Sequence, residues 1–220
     1  MPALRPSADE YLASLQPAQS RRLRNLVVAT GATSEWRSSQ QAAGSIIGGS
    51  PVASADGQAL AGKSVLVTGG GTGIGQGIVL AFAAEGAHVI ATGRRVAPLD
   101  ETVALASGMS GSVEAVVADI ADRDQTALIA GVVEKYGALD ILVNNAGMNI
   151  PKRSLAELSI EDWHNVVDTN LHGTFHVVHA ALPVMRAQGD GLIINVTSIS
   201  GKRTISDLAG AAYCASKFVS

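Results

Sequence analysis

Tyr213 and Lys217 stand four residues apart in Ala211 to Phe218, a stretch without a helix breaker, so on a helix their side chains share one face. A phenol ionises near pH 10, and trading its proton near neutral pH takes about 4 kcal/mol of assistance. A neighbouring ammonium gives assistance of that sign by stabilising the phenolate. An isolated Tyr and Lys at this spacing also occur on ordinary helices, so the surroundings decide what the pair means. They include Ser198, which closes the run Ile193-Ile194-Asn195-Val196-Thr197-Ser198. If that run is a strand of an open α/β sheet, a hydroxyl at its carboxyl end can reach a ligand. Read locally, the same serine is a turn or cap residue before Gly201.

A second chemical feature lies far upstream, between Lys63 and Gly75. The apolar run Val65 to Val67 stops at a glycine cluster, after which Ile74, Ile78, Val79, Phe82 and Ala83 recur at helical spacing. This reads as strand, tight turn and helix. Gly69, Gly73 and Gly75 allow positive φ and let a bulky anion approach main-chain N–H groups at the helix N-terminus. The expected ligand is a pyrophosphate. A nucleotide-hydrolase loop would place Lys and then Ser or Thr directly after the last glycine, and Gln76 and Gly77 stand there instead. Plain strand-to-helix connections also use such glycines, so this turn does not identify its ligand alone.

Elements must hold these two features together, and the chain from Ala61 onward alternates short apolar runs with helical segments. Strands are expected at 64–68, 87–92, 113–117, 139–143 and 191–197. Helices are expected at 74–85, 97–107, 122–136 and 160–187, with another opening near Ala211. Ser159 with Asp162 forms a capping box at the start of the long helix, and Pro183 should loosen its last turns. Buried strands separated by helices imply a Rossmann-type α/β domain, with a doubly wound parallel sheet.

The sequence has 220 residues, 47% of them hydrophobic, enough for one domain with a core. A net charge of -3 provides no electrostatic footprint for nucleic acid or an anionic membrane. The single cysteine, Cys214, forms no internal disulfide, and no apolar run is long enough to span a membrane. The expected setting is a reducing cytoplasm and the expected partner a small molecule. Ser20-Arg21-Arg22 before a short apolar run is too weak a pattern for an export signal. Residues 1–60, rich in Ser, Ala, Gln, Gly and Pro, read as a disordered extension, followed by the domain at 61–220.

Taken in register, these motifs resemble the short-chain dehydrogenase/reductase family over residues 61 to 220. Thr68-Gly69-Gly70-Gly71-Thr72-Gly73-Ile74-Gly75 is similar to its cofactor turn, and Asn144-Asn145-Ala146-Gly147 to its motif after the fourth strand. Asn170, Ser198 and Tyr213-Cys214-Ala215-Ser216-Lys217 fill its catalytic positions in order. The resemblance implies strand order 3-2-1-4-5 and an NAD(P)-dependent interconversion of alcohol and carbonyl. It implies that Tyr213 is the general acid or base, and that Lys217 assists it and bonds the nicotinamide ribose. By the same resemblance Ser198 polarises the substrate, Asn170 holds a water linking Lys217 to solvent, and Asp119 bonds the adenine. Gly69, Gly71, Thr72, Gly73, Ile74, Gly75, Asn145, Ala146 and Gly147 complete the implied cofactor contacts.

At the end of the second strand, Gly93 stands where an acidic residue would repel a 2′-phosphate, and Arg94 can pair with one, so NADP is favoured over NAD. Thr72 occupies the place where NADP-preferring relatives often carry a second basic residue. His172, His176 and His179 share a helix face, but no carboxylate completes a hydrolase-type metal site, and no metal is expected. The chain ends three residues after Lys217, where family members continue. The expectation is therefore a fragment without the later strands, a homo-oligomer when full length. The alternative function is a catalytically inactive product that keeps only a dinucleotide-shaped turn.

Overall fold

The computed structural model describes residues 58–202 and 210–219, with Thr126 and Val219 described by backbone alone. The expectation for residues 1–57 lies outside that range. The first strand, β1 (Ser64–Thr68), is buried along its whole length, and Val65, Leu66 and Val67 have no exposed surface. A strand buried on both faces must be flanked by strands and covered by helices, and the remaining elements do this. In chain order they are α1 (Gly73–Ala84), β2 (His88–Gly93), α2 (Val96–Leu105), β3 (Ser112–Val117), α3 (Thr126–Tyr136) and β4 (Ile141–Asn144). Then come α4 (Ile160–Val167), a π-helical turn (Asp168–His172), α5 (Gly173–Gln188), β5 (Leu192–Asn195), a 3₁₀ turn (Ile199–Gly201) and α6 (Ala211–Val219).

The five strands among the described residues form one parallel sheet in the order β3-β2-β1-β4-β5. The expected α/β architecture and strand order are therefore observed. Successive strands diverge in opposite directions from β1, so β1 and β4 are neighbours and their carboxyl ends frame the crevice where such sheets bind ligands. On one face Leu66, Ile90 and Leu142 pack against Ile129, Val177 and Ala181, which lie on α3 and α5. The opposite ends of β1 and β4 are tied by polar bonds. Asp140 accepts from Lys63 Nζ at 2.6 Å and from Ser64 N at 2.9 Å, while Ser64 Oγ donates to the Ala138 carbonyl at 2.6 Å.

Most bounds shift by one or two residues, and three of the differences from the sequence expectation have a tertiary reason. Helix α3 starts at Thr126 rather than 122 because Gln125 Nε2 donates to the carbonyls of Asp119 and Asp122, which closes a turn there. Strand β5 ends at Asn195 rather than 197, since the Val196 carbonyl is taken by Lys217 Nζ at 3.0 Å. The long helix expected at 160–187 is divided by the π-helical turn. Its start is as read, with Ser159 Oγ accepting from Asp162 N at 3.0 Å. At its far end α5 runs through Pro183 to Gln188, and Gly189, at φ 70°, terminates it.

Candidate active site

The sheet's carboxyl edge opens into a cleft of about 650 Å³. One end is built from backbone. Gly69 and Gly73 hold φ of 68° and 56°, the left-handed region that glycine enters without strain. Gly75 meets a different demand: a Cβ there would lie 2.0 Å from the Gly69 carbonyl oxygen and 2.4 Å from Asn145 Nδ2. The turn therefore folds directly onto the first residues of α1. That helix has no acidic side chain in its first turn, and Thr72 at its N-cap makes no side-chain capping bond. Its first N–H groups thus lack a side-chain acceptor, and the partial positive charge of the terminus faces the cleft.

The turn is braced from β4. Thr68 Oγ1 accepts from the N–H groups of Asn145 and Ala146, each at 3.1 Å, and Asn145 Nδ2 donates to the carbonyls of Thr68 and Gly69. Asn145 thus uses its amide to hold the glycine turn in place, while Gly147 is exposed to the cleft. Farther along the wall Asp119 Oδ1 accepts from Ala121 N at 3.0 Å, which fixes the loop after β3. Arg94 and Arg95 both line the cleft beyond Gly93, Arg95 as the residue preceding α2.

At the other end the 3₁₀ turn and α6 meet. Ser198 caps the 3₁₀ turn, its Oγ accepting from Ser200 N at 3.2 Å, and it also lines the cleft. Its two readings from the sequence are therefore compatible. A Cβ on Gly201 would lie 2.2 Å from the Lys217 carbonyl oxygen, so only glycine lets the turn rest on α6. This contact brings Ser198 to the wall that holds Tyr213 and Lys217. Lys217 is 8% exposed, and burial pushes its ammonium below the usual lysine range.

Asn170 and Gly73 are the two sequence candidates absent from the cleft wall. Asn170 is fully buried beneath it, inside the π-helical turn. Its Oδ1 accepts from Met148 N at 2.7 Å, and its Nδ2 donates to the Met148 carbonyl at 2.9 Å and to Ser216 Oγ at 3.1 Å. All the other candidates, Gly69, Gly71, Thr72, Ile74, Gly75, Arg94, Asp119, Asn145, Ala146, Gly147, Ser198, Tyr213 and Lys217, share the one wall. Arg95, Met148 and Ser216 were not singled out from the sequence. Arg95 follows Arg94 directly and Ser216 lies inside the quoted Tyr-to-Lys motif, but burial and partners are not visible in a one-dimensional pattern.

The helix-face histidines each engage a different partner. His172 Nδ1 pairs with Asp168 at 2.8 Å, His176 faces the Ile120 carbonyl, and His179 lies against Phe175. Among the described residues no group of three or more His, Cys, Asp or Glu could hold a metal, and no helix is long and apolar enough to cross a membrane.

Residues 63–219 match the sequence model of the short chain dehydrogenases. The 3-oxoacyl-[acyl-carrier-protein] reductase FabG of Thermotoga maritima is 43% identical over 143 residues, covering 64% of this chain and 58% of that protein. A 3beta-hydroxysteroid dehydrogenase of Mediterraneibacter gnavus is 38% identical over 156 residues, 70% of this chain and 55% of its own length. The chain thus spans well under two thirds of these curated relatives. Among solved structures, a metagenomic short-chain oxidoreductase in complex with NADP superposes with a TM-score of 0.68 at 34% identity, covering 72% of each chain. Levodione reductase gives 0.67 at 31%, over 72% of this chain and 62% of that one.

Proposed function

The chain belongs to the short-chain dehydrogenase family of oxidoreductases, and from that premise we propose that it interconverts an alcohol and a carbonyl using NADP in preference to NAD. The observation that carries the reading is one cleft, which joins a helix N-terminus framed by glycines to a wall bearing Ser198, Tyr213 and Lys217. The residues present fit a dinucleotide. Gly69, Gly71, Thr72, Gly73, Ile74 and Gly75 would take its pyrophosphate, and a side chain at Gly75 would collide with the Gly69 carbonyl and the Asn145 amide and so deform the cradle. Asp119 would face the adenine, and Ala146 and Gly147 the nicotinamide ribose together with Lys217. Bound there, the cofactor supplies or accepts the hydride.

The chain's own residues handle orientation and the proton. Tyr213 donates a proton to the carbonyl oxygen in reduction and takes it back in oxidation, and Ser198 holds the same oxygen by a hydrogen bond. Lys217 places a cation beside the phenol. A Cβ on Gly147 would lie 3.3 Å from Asn170 Oδ1 and 3.4 Å from Lys217 Nζ, so both polar atoms approach the same glycine, which supports a water nearby that links the two groups. For the cofactor preference the support is two cations, Arg94 and Arg95, on a wall where Gly93 brings no competing carboxylate. Arg95 supplies the second basic group that the glycine turn lacks. Calorimetric titration with NADP and NAD, followed by a screen of secondary alcohols and ketones, tests the proposal. Failure of both nucleotides to bind would overturn it.

A further inference from the structure

Ser216 sits between Tyr213 and Lys217 on α6, yet none of its surface is exposed and it does not line the cleft. Its hydroxyl donates to the Tyr213 carbonyl at 2.9 Å and accepts from Asn170 Nδ2 at 3.1 Å. The other N–H of that amide goes to the Met148 carbonyl, and its Oδ1 takes the Met148 N–H. Three segments distant in sequence therefore meet in one buried set of bonds: the loop after β4, the π-helical turn, and α6. Both hydrogens of the amide and the proton of the hydroxyl are placed, so the set has one arrangement of donors and acceptors. Among the described residues, apart from this bond and the Lys217 bond to Val196, α6 is held near the cleft mainly by packing against α4, the π-helical turn and the 3₁₀ turn. Packing alone leaves a short helix free to rotate or slide slightly, whereas a directed hydrogen bond fixes its register.

We propose that Ser216 is a positioning residue, which acts through Asn170 to fix the rotation of α6 and so holds Tyr213 and Lys217 in the cleft. The proposal rests on the reading of those two residues as the proton-handling pair, but its test does not need turnover. Ser216→Ala removes the hydroxyl without adding volume, and Asn170→Ala removes the other partner. Hydrogen exchange of the 211–219 amides should accelerate about tenfold in Ser216→Ala while the β1 and β2 amides keep parent rates. Adding Ser216→Ala to Asn170→Ala should change little, because the bond is already gone.

A spectroscopic signature separates positioning from general support. Spectra of ¹³C-labelled lysine, with the Lys217 signal assigned by its loss in Lys217→Arg, follow that ammonium against pH. Arg94, Arg95, Asp119 and Tyr213 are the other ionisable groups on its wall. In Ser216→Ala the Lys217 titration should move up toward the ordinary lysine range as water gains access. Parent-like exchange and an unmoved Lys217 titration in Ser216→Ala would overturn the proposal. So would acceleration spread evenly over the sheet, or full additivity of the two substitutions. If the parent chain binds no nucleotide, the proposed activity fails while these readings still decide the role of Ser216.

Discussion

The two ends of the cleft are built from different materials. The glycine-turn end is made by backbone on the most buried strands of the sheet, and its shape depends on where side chains are missing: Gly75 cannot carry a Cβ, and Thr68 and Asn145 serve as braces. The Ser198 end is made by side chains on elements beyond the half-buried strand β5, and single polar contacts such as Lys217 to Val196 hold it. The lesson is that the first end is sensitive to volume and the second to individual hydrogen-bonding atoms.

The sharpest way to separate the ends is to remove one atom from the second. Tyr213→Phe should lower turnover about 10²- to 10⁴-fold, the range of general acid–base catalysis, with nucleotide affinity near parent. Steady-state kinetics beside calorimetry measures both, and parent-like turnover would make Tyr213 structural. Next in size is a change of charge at the backbone-built end. Gly93→Asp combined with Arg94→Ala should weaken NADP by about 2 to 4 kcal/mol while sparing NAD, through loss of a charge-assisted pair and gain of a like-charge clash. Equal affinity of the parent for both nucleotides would place Arg94 outside the recognition of the 2′-phosphate.

Volume is the third lever. Gly75→Ala adds one methyl group where the Gly69 carbonyl oxygen is 2.0 Å away, and should cost about 1 to 3 kcal/mol of stability together with nucleotide binding. An unchanged melting temperature would mean the turn yields easily, and the contrast between the ends would weaken. The smallest expected effect lies away from both. Burial alone would raise the Asp140 carboxyl, but bonds from Lys63 and Ser64 outweigh it and hold the group below its usual range. A depressed folded value makes this contribution full above the unfolded pKa of about 4, and it is lost as pH falls through the folded value. Asp140→Asn should cost about 1 kcal/mol at pH 7 and flatten the acid limb of the melting curve, with nucleotide affinity unaltered.

Much of this contrast was legible in the sequence, because the glycine turn and the Tyr213–Lys217 pair are local patterns that need no knowledge of neighbours. Alternating apolar runs identified all five strands, since buried parallel strands are apolar on both faces. What escaped reading depends on partners far along the chain. The apolar pattern of 160–187 is continuous, and nothing in it announces that Asn170 will bond Met148 and Ser216. Asn170 was selected as a site residue, but its place beneath the cleft, rather than on it, came from those bonds. Gln125 delayed α3 in the same way, by closing a turn whose acceptors precede it.

The π-helical turn at Asp168–His172 can also be regarded as a phase error in a periodic object. A regular helix advances about 100° per residue, so one surplus residue rotates everything after it by that angle. Deleting any single residue within the turn would restore regular periodicity, and the helix considered alone would gain better hydrogen bonds. The same deletion would swing α5 relative to α4 and carry Asn170 away from Met148. In a family alignment, a one-residue gap at this point should therefore be far rarer than gaps in the loops on either side, even though Thr169 is the turn's single residue on the cleft wall.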